Sequence, residues 1–300
     1  MSTYGDMPHK TVERYVDEAM FPAVPLSEYG EEVRPSVTVI TMTPDPLRVL
    51  ASAASMYKGL PVLPEDISAE EAVAYLDAFR GGKIVAPLEW IQVALLIQGV
   101  SRDFTHQMVR QRTATFVQES MRFAVKDNAA NEVPMPPSIA KLPDNSDIVQ
   151  RWREHVISTG QFYNYLIQND IPAEDARKAL LIGTATRLHY RTDLRNLVNT
   201  AGMRLCSQAQ AEWKQVWLEI VGAILNYGPD EERWQQREIV SLFKPVCYQT
   251  GKCEFNSPID RWCVIRDRVN AHAERGEPPT VWLDISPHEP LHPASARRPR

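Results

Sequence analysis

Between Ser101 and Arg122 the chain gathers four arginines (Arg102, Arg110, Arg112 and Arg122) around Ser120 and the amides Gln107, Gln111 and Gln118. A guanidinium offers two parallel, charge-assisted hydrogen bonds that match the edge of a phosphate. Concentrated in a chain of net charge −5, these groups point to a concave anionic site, and the ligand they suit is a nucleotide. A salt-bridged surface helix running into a loop is the competing reading. On a helix, Gln107 and Arg110 share a face. Arg110 and Arg112 do not, so a helix end or sharp turn there would send them to two different ligands. On an extended segment Ser120 and Arg122 project to the same side.

A second set lies further on: Arg177, Arg195, Asn199, Arg204 and Gln208. Arg195 with Asn199, and Arg204 with Gln208, are i, i+4 pairs that would line the boundary of a helix. A solvated helix face is the alternative. Neither a Gly-x-Gly-x-x-Gly turn nor a Walker A loop is present, which argues against Rossmann and P-loop nucleotide sites. The cysteines Cys206, Cys247, Cys253 and Cys263 form no pair with zinc-type spacing. None sits in a nucleophile setting: Cys206 follows Arg204 closely but has no histidine near it in sequence. Chemistry here is therefore expected to rest on bound cofactors and electrostatics.

The acidic balance, and the division of the arginines between distant segments, disfavour a protein that tracks a nucleic-acid backbone. The longest apolar run, Val93–Ile97, is far too short to span a bilayer. The N-terminus lacks the apolar core of a signal peptide. A cytoplasmic protein is the expectation.

These residues need elements to hold them. Residues 1–35 read as a lead-in with a short helix from Val12 to Ala19. Ser36 to Thr43 alternates and is β-branched, a strand ended at Pro44. Leu47 to Lys58 reads as helix. Ser68-Ala-Glu-Glu71 is a capping box opening a helix that runs to Phe79 and stops at Gly81-Gly82. Trp90 to Val100 alternates as a half-buried strand. Ser101 caps a helix carrying Phe104 to Arg110, and Thr113 to Phe116 leaves it as loop or strand. Asp147 to Gln168 is helical, and Pro172 to Arg177 starts another helix. One long helix is expected from Thr192 to Leu225, with Leu205, Ala209, Trp213, Val216 and Ile220 on its apolar stripe and Gly202 bending or dividing it. Residues 36–270 then form the catalytic domain and 271–300 a mobile tail.

With both clusters in place, the chain resembles the flavin-dependent thymidylate synthases. That family's signature, Arg-His-Arg, seven residues, then Ser, is similar to Arg110-Gln111-Arg112, seven residues, Ser120. Co-linear with it are Pro87-Leu-Glu-Trp90, the run from Gly99 to Gln107, Glu174-Asp-Ala-Arg177, Arg195 to Arg204, and Gln208-Ala-Gln210-Ala-Glu212. The resemblance implies an α/β (α+β) subunit with a central sheet flanked by long helices, assembled as a homotetramer. It further implies FAD-dependent transfer of a one-carbon unit from methylenetetrahydrofolate to dUMP, giving dTMP, with NADPH as reductant. Carried over by position, Gln107, Ser120, Arg122, Arg177 and Arg204 hold dUMP, with Ser120 and Arg204 as the catalytic pair. Arg110, Gln111, Arg112, Gln118, Arg195, Asn199, Gln208 and Trp90 fall in the cofactor set.

Trp90, Gln111 and Gln208 stand where the family often has histidine, and Phe123 replaces a usual tyrosine. A glutamine still hydrogen-bonds but holds no proton charge. Trp90 offers a flat ring for stacking, on the folate for example. A related pyrimidine-nucleotide hydroxymethylase or dCMP-modifying enzyme on the same scaffold is the alternative product reading.

Overall fold

Alternating strands and amphipathic helices combine into a mixed α+β architecture, seen in a computed structural model that describes residues 33–80, 85–126, 129, 132–206 and 209–251. The expected Val12–Ala19 helix, the Gly81-Gly82 stop, Gln208, Cys253, Cys263 and the 271–300 tail lie outside the described residues. Four antiparallel strands form one sheet in the order β1-β2-β4-β3: β1 is Ser36–Met42, β2 Gln92–Ser101, β3 Thr115–Gln118 and β4 Ala185–Asp193.

The helices follow local chemistry. Pro46 opens α1 (Pro46–Ser55), its fixed φ suiting the first turn. Ser68 and Glu71 make the expected reciprocal box at the start of α2 (Ala69–Phe79), with Glu71 N donating to Ser68 Oγ at 3.2 Å and Ser68 N to Glu71 Oε2 at 2.9 Å. Ser101 caps α3 (Arg102–Met108) by accepting from Phe104 N at 3.2 Å. The short α4 (Pro137–Ala140) precedes α5 (Asp147–Gln168), which has the expected bounds. The expected helix after Pro172 is only one turn, α6 (Ala173–Ala176), before a 3-10 turn at Arg177–Ala179.

Two expectations are corrected. Trp90 is not in the strand: it ends a 3-10 turn over Ala86–Trp90, and Ile91 leads into β2. The long helix from Thr192 to Leu225 does not exist as one element. Residues 185–193 form β4, whose alternation puts Leu188, Tyr190 and Thr192 inside and Arg187, His189 and Arg191 outside. Asp193 then caps α7 (Leu194–Arg204), accepting from Asn196 N at 2.9 Å. The chain leaves helical geometry after Arg204 and re-enters it as α8 (Ala211–Leu225). Gly202 lies inside α7 and does not divide it. The stripe was right about burial, because Leu205, Trp213, Val216 and Ile220 all enter the core.

That core is one apolar layer between sheet and helices, with Leu47 and Leu50 of α1, Leu76 of α2, Leu95 and Ile97 of β2, and Trp213 and Trp217 of α8. The helices α9 (Arg233–Val240) and α10 (Val246–Thr250) close the described fold. Gly99 adopts φ +67°, and a Cβ there would sit 2.1 Å from Arg34 O, so only glycine fits this β2 bulge. No helix among the described residues is long and apolar enough to cross a membrane.

Candidate active site

At the C-terminal end of β2 the chain turns at Ser101 into α3, which carries Gln107. α7 returns from the far end of β4 and places Arg204 beside it. The Arg204 guanidinium donates to Gln107 Oε1 at 3.1 Å and lies 4.7 Å from the centroid of the Trp213 ring, a cation–π stack. Trp213 Nε1 donates to the same Gln107 oxygen at 3.1 Å. Gln107 Nε2 donates to Gln210 Oε1 at 2.7 Å, and Gln210 Nε2 donates to Asp103 Oδ2 at 2.8 Å and to Glu212 Oε2 at 3.5 Å. Glu212 in turn accepts from Ser101 N at 2.7 Å and from the Ser101 hydroxyl. Burial pushes the Glu212 carboxyl above the usual carboxylate range, opposed by its Ser101 bonds. Burial also lowers the Arg204 guanidinium.

The same end of the sheet holds the turn after β3. Ser120 and Arg122 do not alternate on an extended segment there. Arg122 N donates to Ser120 Oγ at 3.3 Å, and Phe123 N and Ala124 N donate to Ser120 O, which makes a turn. Gln118 Nε2 ties the end of β3 to α3 through Thr105 Oγ1 at 2.8 Å. The Arg122 side chain pairs with Glu174 at 3.0 Å, and Arg177 Nε donates to the Glu174 carbonyl at 3.2 Å. Arg102 completes the group: one of its terminal nitrogens is buried with no hydrogen-bond partner. Its pKa is lowered by burial and then by the Arg177 charge, against the opposite pull of Glu119.

Beneath this turn Lys126 is buried between Glu119 Oε2 at 3.1 Å and Glu132 Oε2 at 2.6 Å. Its backbone N–H donates to the Tyr163 hydroxyl at 3.2 Å.

Of the remaining residues, Arg110 stays within one turn of Gln107, its N–H donating to Gln107 O at 3.3 Å, while Trp90, Arg195 and Asn199 lie toward the other end of the sheet. Ser101 pairs with Ala185 whereas Gln92 pairs with Asp193, so ten residues of β2, roughly 30 Å of strand, separate the two ends. The segment after α3 runs back along that length: Tyr190 OH donates to Gln111 Oε1 at 3.0 Å, and Gln111 Nε2 donates to Thr113 Oγ1 at 3.4 Å. The expected helix to Arg110 stops at Met108. Arg110 and Arg112, past that end, are both exposed and form no ion pair among the described residues. Arg195, in the first turn of α7, pairs with Glu89 beside the exposed Trp90. Asn199, one turn on, is exposed. The two sequence clusters are therefore redistributed, with Arg204 joining Gln107, Arg177 joining Arg122, and Arg195 joining Trp90.

With this geometry in view, comparison with known proteins gives one answer. Residues 38–229 match the family described as "Thymidylate synthase complementing protein". The chain belongs to this family. Among relatives, the flavin-dependent thymidylate synthase of Pyrococcus abyssi is 29% identical over 208 residues, covering 68% of this chain and 82% of the relative. That of Pyrococcus furiosus is 28% identical over 242 residues, covering 77% and 94%. A crystal structure of Helicobacter pylori thymidylate synthase X with FAD and dUMP aligns at TM-score 0.49 and 19% identity, covering 69% of this chain and 99% of that one. The family match spans every site residue from Trp90 to Gln208.

Inside that family span, sequence reasoning missed several participants. Trp213 was assigned to an apolar stripe, yet its indole N–H and ring face both serve the site. Asp103 lies unremarked within the run from Gly99 to Gln107, and Glu212 enters only as the end of a motif. Lys126 carried no signal, being a single lysine in a loop. Glu174 was quoted within a motif without its bridging role.

Proposed function

We propose that the protein is a flavin-dependent thymidylate synthase that moves a one-carbon unit from methylenetetrahydrofolate to C5 of dUMP, with NADPH as reductant. The observation that carries this is the family match over residues 38–229, which encloses both ends of the site. The ligands divide along the site, with Arg110, bonded through its backbone to Gln107, at the boundary where flavin and nucleotide meet. Gln107, Ser120, Arg122, Arg177 and Arg204 take dUMP. Arg122 pairs with the Glu174 carboxylate, which a nucleotide phosphate would displace, and Arg177 Nε donates to the Glu174 backbone carbonyl beside it. Arg102 adds its unpartnered nitrogen to the same positive field.

The residues from Arg110 toward the other end fit FAD. Arg110 and Arg112 are exposed cations without a counter-charge among the described residues, which suits a diphosphate. Arg195 and Asn199 present a charge and an amide on one face of α7. Gln111, anchored by Tyr190, offers an amide to a polar ring edge. Trp90, 65% exposed, offers a stacking surface for folate. Gln118, bonded to Thr105 of α3 at the nucleotide end, stands at the boundary between the two ligands. When bound, the flavin supplies the hydride chemistry that the side chains cannot. The chain's own groups bind and orient, and Arg204, held by Gln107 and Trp213, favours negative charge as it develops on the pyrimidine ring.

Assembly as a homotetramer agrees with the exposed apolar side chains on the sheet's two edge strands, Val117 of β3 at 68% and Ile40 of β1 at 46%. The test is a product assay with dUMP and dCMP in parallel, preceded by a visible spectrum. Yellow protein that releases the C5 hydrogen of dUMP and forms dTMP is expected. Protein that cannot be loaded with FAD, or a hydroxymethyl product, refutes the reading.

A further inference from the structure

The hydrogen-bond network around Gln107 fixes more than its position; it fixes which half of its amide a ligand meets. Arg204 and the Trp213 indole are donors only, and both point at Gln107 Oε1, each at 3.1 Å. A carbonyl oxygen has two lone pairs, so this one is saturated. From the other side, Asp103 and Glu212 offer carboxylate oxygens to Gln210 Nε2. That leaves Gln210 Oε1 to accept from Gln107 Nε2 at 2.7 Å. Donors at one end and acceptors at the other thus hold both amides in a single orientation. Of the four hydrogen-bonding capacities of the Gln107 amide, three are used. The fourth is one N–H, on a half-buried side chain. Gln107 can give a hydrogen bond to a ligand and cannot receive one.

This bears on the choice of pyrimidine and rests on the dUMP reading above. Uracil carries carbonyl oxygens at positions 2 and 4 and a donor N–H at position 3. A group that only donates cannot pair with that N–H, so Gln107 is restricted to a carbonyl. Cytosine shares the carbonyl at position 2 but has an amino group, a donor, at position 4. We propose that Gln107, with its amide orientation set by Gln210, is a specificity-determining residue that meets the position-4 carbonyl and rejects an amino group there. Placing cytosine would leave two donors opposed and both unpaired, a mismatch that sites built on hydrogen bonds penalise heavily. Gln210 is a positioning residue in this arrangement.

The experiment measures dUMP and dCMP affinity by titrating the FAD-loaded protein, comparing wild type with Gln107→Glu and Gln107→Met. Glutamate turns the open group into an acceptor, and methionine keeps length without polarity. Wild type is expected to prefer dUMP. Gln107→Glu should lower the dUMP:dCMP preference by about 30-fold or more, with dCMP binding strengthened in absolute terms. Gln107→Met should lower the preference less and strengthen neither ligand. Equal weakening of both nucleotides in Gln107→Glu would place the contact at position 2 and overturn the inference while leaving the dUMP reading intact. So would an unchanged preference in a variant that still binds FAD. Wild-type protein that binds neither nucleotide, or prefers dCMP, overturns the dUMP reading and the inference together.

Discussion

Lys126→Met should be among the most damaging single changes outside the ligand-contacting residues. The Lys126 side chain is 4% exposed and its ammonium bridges Glu119 at 3.1 Å and Glu132 at 2.6 Å. Removing one partner from a buried ion pair costs about 3–5 kcal/mol, because the remaining charge stays desolvated. Here the remaining charges are not fully stranded. Glu119 keeps Arg187 at 3.6 Å and the Thr186 hydroxyl at 3.4 Å, and Glu132 is 28% exposed. The loss should therefore fall to roughly 2–3 kcal/mol, which for a domain of this size lowers the melting temperature by about 5–10 °C. Because Glu119 directly precedes Ser120, KM for dUMP should rise as well. Thermal melts of Lys126→Met test the first part. A triple variant that adds Glu119→Gln and Glu132→Gln removes the stranded charges and should regain most of the loss. A single variant that melts within about 1 °C of wild type, or a triple variant no better than the single, refutes the reasoning.

Two other outcomes follow from the same geometry. Burial raises the Glu212 carboxyl above the usual range, so the folded protein holds that proton more tightly than the unfolded chain. Glu212 then contributes stability at low pH that is lost as pH rises from the ordinary carboxylate range through its raised value. Denaturant unfolding across that window should show a stability decrement in wild type that Glu212→Gln lacks; parallel curves would contradict the burial assignment. Gln111 has no titrating proton, whereas histidine titrates near neutrality. Gln111→His should therefore add a pH dependence to the rate between about pH 6 and 8, and an unchanged profile would remove position 111 from the flavin contact.

What the sequence revealed was what local chemistry encodes. The Ser68–Glu71 box, the Ser101 cap and the full length of α5 follow from side chains three to four residues apart, and the alternation of β2 shows in Val93, Leu95 and Ile97. β4 was concealed because its inward positions, Thr186, Leu188, Tyr190 and Thr192, mix hydroxyls with apolar groups. Its pairing partner, β2, is also distant in the chain. The site residues were recognisable as types, but their grouping was not. Gln107 meets Arg204, Gln210 and Trp213 across about a hundred residues, and Arg122 meets Glu174 across 52. No periodicity in a single chain reports contacts at that separation. The residues that orient ligand-facing groups, Gln210, Glu212 and Lys126, become visible only when the sheet brings those segments together.

The division of one site into a nucleotide end and a flavin end is tested most directly by measuring FAD and dUMP affinities of Arg112→Ala and Arg122→Ala side by side. Arg112→Ala should weaken FAD by about 10- to 150-fold, the worth of one charge-assisted bond, and leave dUMP, titrated at saturating FAD, within about threefold of wild type. Arg122→Ala should do the reverse. Loss of the same ligand in both variants would contradict the account.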